Sequence, residues 1–68
     1  MNDETFNLTI RQFLKRFGIT AQREIERAVR AGLEDGKLSG SEKLPVRATL
    51  SVPGVLEELV IEGEVELE

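Results

Sequence analysis

The spacing of apolar residues changes once along this chain, from a helical period to strict alternation, and that change limits what it can fold into. Up to Leu33 the apolar positions recur every three or four residues; from Leu44 they recur every second residue. A chain patterned this way is α+β, with its helical part first. The eight residues between, Gly36-Lys37-Leu38-Ser39-Gly40-Ser41-Glu42-Lys43, are polar and carry two glycines and two serines, so they read as a loop.

In the helical part, Phe6, Ile10, Phe13, Leu14 and Phe17 define one apolar face that holds every aromatic residue of the protein. Asp3, Thr5 and Asn7 are candidate N-caps, which places the start between residues 4 and 8. Gly18 predicts the end of this helix, with Lys15 and Arg16 in its last turn, where cations complement the helix dipole. Thr20 then caps a second helix whose apolar face is Ile25, Ala28, Val29, Gly32 and Leu33, and Gly36 stops it. The small residues Ala28 and Gly32 suit close approach by the large Phe face. With only Ile19 and Thr20 between them, the helices are expected to form an αα-corner or hairpin.

In the second part, Leu44, Val46, Ala48, Leu50 and Val52 alternate with Pro45, Arg47, Thr49 and Ser51. Leu59, Ile61, Gly63, Val65 and Leu67 alternate with Val60 and four glutamates. Two antiparallel strands follow, turning near Pro53-Gly54. A plain two-residue turn would set Leu50 against Glu57. A longer loop over residues 53–58 pairs Val52 with Leu59, Leu50 with Ile61 and Val46 with Val65, and sets Arg47 opposite Glu64; like-with-like pairing favours it. A lone hairpin is marginal in water, so the helices are expected to cover its apolar face. The predicted architecture is therefore a single domain over residues 1–68: two amphipathic helices followed by an antiparallel β-hairpin packed on them.

Size and composition narrow the chemistry. A chain of 68 residues holds one small core of marginal stability and usually needs a disulfide, a metal or a partner subunit. With no cysteine and no histidine the first two supports lose their usual residues, so no metal or cofactor is expected and self-association is the support left. Without His, Cys or Tyr, acid–base and nucleophilic chemistry falls to carboxylates, Lys, Ser and Thr, and no serine has a base at recognisable spacing. The row Glu62, Glu64 and Glu66 reads as a solvated strand face, because a one-faced hairpin offers no cleft for a glycosidase-like pair. Gly36-Lys37 lacks the strand, spacing and helix of a phosphate-binding loop. An enzyme is not expected. No apolar run approaches the ~18 residues of a membrane span, and the acidic first residues do not resemble a secretory signal, so a cytoplasmic protein is expected.

Charge is the remaining signal. The net charge is −4, yet Arg11 to Arg30 holds six basic and two acidic residues, while Glu57 to Glu68 holds six acidic and none basic. Arg23, Arg27 and Arg30 stand at i, i+4 and i+7 and form a stripe; Arg11 and Lys15, with Arg16, are read as extending it. Such a stripe suits a polyanion or an acidic partner. The plainer reading is a solvated face with internal pairing, Glu26 to Arg30 in the favourable i, i+4 order and the strand glutamates nearby. Phe17-Gly18-Ile19-Thr20 looks like the turn of a helix-turn-helix, but Ile25 falls one place late for its buried position, and no third helix follows. The acidic balance also argues against a dedicated nucleic-acid binder.

Met1-Asn2, Phe6-Asn7, Ile10-Arg11, Phe13-Leu14-Lys15, Gly18-Ile19-Thr20, Gln22-Arg23-Glu24-Ile25-Glu26 and Ala28-Val29 together resemble a family of short bacterial proteins of about seventy residues whose function is unknown. Gly36-Lys37-Leu38, Glu42-Lys43-Leu44 and Ile61-Glu62-Gly63-Glu64 continue the likeness over nearly the whole chain. The resemblance implies a free-standing bacterial cytosolic protein and carries over no activity, ligand or catalytic residue. The sequence thus points to a non-enzymatic protein-interaction module that binds another protein or itself, a homodimer through the hairpin edge being one form. Binding of nucleic acid or another polyanion through the second-helix stripe is the alternative.

Overall fold

Asp3 to Glu34 form one uninterrupted α-helix, α1 (Asp3–Glu34), in the computed structural model, which describes all residues Met1–Glu68. At ~1.5 Å per residue it is about 48 Å long. Asn2, ahead of the predicted caps, is the N-cap: its side-chain oxygen accepts from the Thr5 N–H at 3.0 Å, and its carbonyl accepts from Phe6 N–H at 3.0 Å. Asp3 and Glu4 occupy the first turn, where negative charge is favourable. Asp35 caps the other end, its N–H donating to the Ala31 carbonyl at 3.0 Å, and Gly36 follows at φ 84°, so the predicted stop at Gly36 holds.

The expectation of two helices is overturned. Gly18, Ile19 and Thr20 are helical, and no corner exists there. A glycine in a helix interior costs only about 1 kcal/mol relative to alanine. A break would instead leave up to four N–H and four C=O groups without helical partners. The apolar pattern also runs through the join. Phe6, Phe17 and Ala28 are eleven apart, as are Ile10, Ala21 and Gly32, so two faces read separately are one seam on one helix.

The chain divides into two units, Met1–Lys37 and Leu38–Glu68. The second is the predicted hairpin: β1 (Lys43–Val52) and β2 (Leu56–Glu66) pair antiparallel in a two-stranded sheet. Faces are as predicted but the register is not. Leu50 lies opposite Leu59, Ala48 opposite Ile61, Val46 opposite Gly63 and Leu44 opposite Val65. Arg47 therefore meets Glu62 rather than Glu64, and Lys43 meets Glu66.

The discrepancy has a local cause. Val52-Pro53-Gly54-Val55 is a tight turn, closed by the Val55 N–H on the Val52 carbonyl at 3.0 Å with Gly54 at φ 89°. Val52 then pairs with Leu56 while Leu50 pairs with Leu59, so Glu57 and Glu58 together stand against Ser51. This is a β-bulge, with Glu58 at φ 51° and its N–H donating to Ser51 Oγ at 3.4 Å. The extra residue shifts β2 by one place and returns its apolar side chains to the face of Leu50 and Ala48.

Two substitutions test these local conclusions. Gly18 has open space where a Cβ would stand. Gly18→Ala is therefore expected to raise helix stability by up to about 1 kcal/mol, read from the urea midpoint of the far-ultraviolet circular dichroism signal; a loss of helicity would mean that the chain breaks there. Glu58→Gly relieves a left-handed backbone at a non-glycine position, which costs roughly 1–2 kcal/mol. It is expected to stabilise the hairpin, measured by amide exchange of its cross-strand hydrogen bonds.

Candidate functional site

Three surfaces carry what the fold leaves available. The first is the seam of α1. Residues advance ~100° around a helix, so Phe6, Ile10, Phe13, Leu14, Phe17, Ala21, Ile25, Ala28 and Gly32 fall within a strip about 120° wide, with Glu24 also inside it. Its large members are uncovered: Phe6 is 48% exposed, Ile10 40%, Phe13 44% and Phe17 48%. The Phe13 and Phe17 rings stack with centroids 6.3 Å apart. Ala21 and Ile25 are half-buried, and Gly32 is the one buried residue of the helix.

The second surface is basic. On one continuous helix Arg16, Arg23, Arg27 and Arg30 share a strip about 60° wide, roughly 130° around from the seam. Arg16, read from the sequence as the end of another helix, belongs to this stripe through its seven-residue spacing to Arg23. Arg11 and Lys15 lie about 90–130° around the helix from the centre of this strip, and Lys15 lines one groove with Arg16 and Arg23. Arg27 pairs with Glu24 at 3.1 Å, both side chains well exposed, and such a pair contributes little to stability. The expected Glu26–Arg30 pair is not formed; Glu26 Oε1 accepts from Gln22 Nε2 at 3.0 Å, and Arg23 and Arg30 have no carboxylate within 4.0 Å. An open groove beside the stripe is lined by Gln12, Lys15, Arg16, Ile19, Thr20 and Arg23.

The third surface is the hairpin. One face presents Leu44, Val46, Ala48 and Leu50 beside Leu59, Ile61 and Val65, and Ile61 is 59% exposed. The opposite face alternates charge across the strands, Lys43 against Glu66 and Arg47 against Glu62. Each strand keeps one edge unpaired.

Ser39 and Ser41 hydroxyls meet at 3.1 Å with each other and with no general base. No three acidic side chains gather as a metal would require. One carboxylate is held in a defined way. Glu42 accepts the backbone N–H of Ser39 at 2.8 Å on one oxygen and that of Gly40 at 2.9 Å on the other, while its carbonyl accepts from Leu67 N–H at 3.0 Å. Sequence reasoning missed this clasp, although a serine and a glycine three and two residues before a glutamate were its visible signal. The Ser39 and then the Gly40 N–H favour the ionised form and hold the Glu42 carboxyl below its ordinary value. A depressed folded value means that the clasp contributes above the unfolded carboxylate pKa and is lost as pH falls through the folded one. The Ser39 and Gly40 amide resonances are therefore expected to move together with Glu42, with a midpoint below that of an ordinary glutamate. Glu42→Gln should remove that shared transition.

Exposed seam, basic stripe and open-edged hairpin belong to a small α+β protein of one long helix and a β-hairpin. The chain belongs to a family of unknown function (DUF6494), whose model matches residues 1–68. No curated protein and no solved structure matches it. No helix is long and apolar enough to cross a membrane.

Proposed function

We propose that this protein is a non-enzymatic interaction module of the cytoplasm that works as an assembly of copies of itself. One observation carries the reading: no hydrophobic side chain is buried in the single chain. Apolar residues such as Phe13 and Ile61 are thus supported by association, with the unpaired sheet edges as a further place for contact. Sedimentation equilibrium with melting curves over a hundredfold concentration range tests it. The expected result is an oligomer mass and a melting temperature that rises with concentration. A monomer with concentration-independent melting overturns the reading.

A second reading rests on Arg23 and Arg30, which have no carboxylate partner and share a strip with Arg16 and Arg27. It assigns this face to a polyanion such as nucleic acid. Binding of a fluorescent single-stranded oligonucleotide at low salt, falling steeply as salt rises and reduced by Arg23→Glu with Arg30→Glu, would support it. No binding at low salt would end it.

A further inference from the structure

Charge divides α1 into two unlike parts. From Thr5 to Arg23 the helix carries four basic side chains, Arg11, Lys15, Arg16 and Arg23, and no acidic one. All three phenylalanines of the protein lie in the same stretch. Beyond Arg23 the character changes: Glu24 stands inside the seam, Gly32 is buried, and Glu26 and Glu34 mix with Arg27 and Arg30. We infer that the first part of α1 lies along an anionic lipid surface, its Phe seam in the acyl boundary and its flanking cations at the headgroups. The inference goes beyond the self-association proposed above and does not rest on it.

The placement of the cations selects this occupant. Phe6, Ile10, Phe13, Leu14 and Phe17 spread over about 100° of the helix surface, and each is between 40% and 50% exposed. Arg11 stands about 110° from the centre of that arc in one direction, and Arg16 and Arg23 stand about 110–130° from it in the other. A plane that takes up the seam therefore meets cations along both flanks at a similar depth. Their long apolar stems lie against the boundary while the charged heads reach the headgroups. A nucleic-acid strand is a line of charge instead. It can follow Arg16, Arg23 and Arg30, but it leaves Arg11 across the seam and the phenylalanines in water. The stretch from Phe6 to Arg23 is about 26 Å long, and no helix of the chain is apolar enough to cross a membrane, so the contact runs along the surface. The net charge of −4 does not oppose this. Exposed charges act over only ~8 Å at physiological ionic strength, so the local balance of the stretch decides the attraction.

Co-sedimentation of the full protein with vesicles tests the proposal. Vesicles of phosphatidylcholine alone are compared with vesicles that also contain phosphatidylglycerol. Partitioning is expected to be at least about tenfold stronger onto the anionic vesicles and to fall as salt rises. Arg11→Glu with Arg16→Glu is expected to remove that preference. No binding to either vesicle, or equal binding to both, overturns the proposal. A second measurement covers substitutions that disturb the helix. The chain has no cysteine, so one fluorophore can be attached at a single introduced thiol. Phe17→Cys and Ile19→Cys place it at nearly the same height but about 160° apart around the helix. The label at position 17 is expected to shift to the blue on anionic vesicles and to be quenched by lipids brominated on their acyl chains. The label at position 19 is expected to behave as in water. Equal quenching of both labels overturns the seating of the seam. Quenching of neither, with a single-stranded oligonucleotide bound as well as the vesicles are, overturns the lipid proposal in favour of a general polyanion site. Oligomer mass in sedimentation decides self-association separately.

Discussion

The constraint on which this structure depends is an apolar strip on a helix that stays in one piece. A 32-residue helix is far longer than most helices in globular proteins, and helices of any length gain most of their stability from a packed face. Here the face exists in the sequence, with three phenylalanines on it, yet those rings are close to half exposed. Burial of such side chains is worth about 1.5–3 kcal/mol each, so the seam holds much of the stabilisation open to so small a chain. Everything polar is arranged around it. The arginines occupy another side of the helix, and Glu24 is matched to Arg27.

The hairpin meets the same requirement by different means. Its apolar side is built from period-two alternation, and its other side carries glutamates faced by Lys43 and Arg47 across the strands. Opposite charges directly across an antiparallel pair contribute modestly and help to fix the register. The clasp at Glu42 closes the loop ahead of β1 by giving the Ser39 and Gly40 N–H groups an acceptor, and its carbonyl ties Leu67, just beyond β2, back to the same residue.

Most of the elements were legible because they rest on short-range physics. The helical period from Phe6 to Leu33, the stop at Gly36, the loop and both strands all follow from spacing and from backbone preferences. Two features were not legible. Gly18 followed by Thr20 looks like a stop and a start, but the preference of one residue is weak beside the hydrogen bonds of a continuous helix, and the regular positions Phe17, Ala21 and Ile25 carried the decisive signal. The hairpin register failed because regular ladders were compared, whereas Ser51 faces two residues. Of the candidate site, the Arg23, Arg27 and Arg30 stripe was visible from spacing. Arg16 was read as extending it together with Arg11 and Lys15, and the continuous helix gives Arg16 its seven-residue spacing to Arg23.

The bulge at Glu57 and Glu58 makes the hairpin a matter of parity. Only the extra residue opposite Ser51 keeps Leu59, Ile61 and Val65 on the side of Leu50 and the glutamates of β2 on the side of Arg47. A deletion of one residue between Leu56 and Leu59 would leave composition, charge pattern and strand propensity almost unchanged. It would nevertheless exchange the two faces of β2 along its length. Length between the turn and Leu59 is therefore under tighter restraint than the identity of the residues that fill it, and chains of this design should tolerate substitution there far better than a change in count.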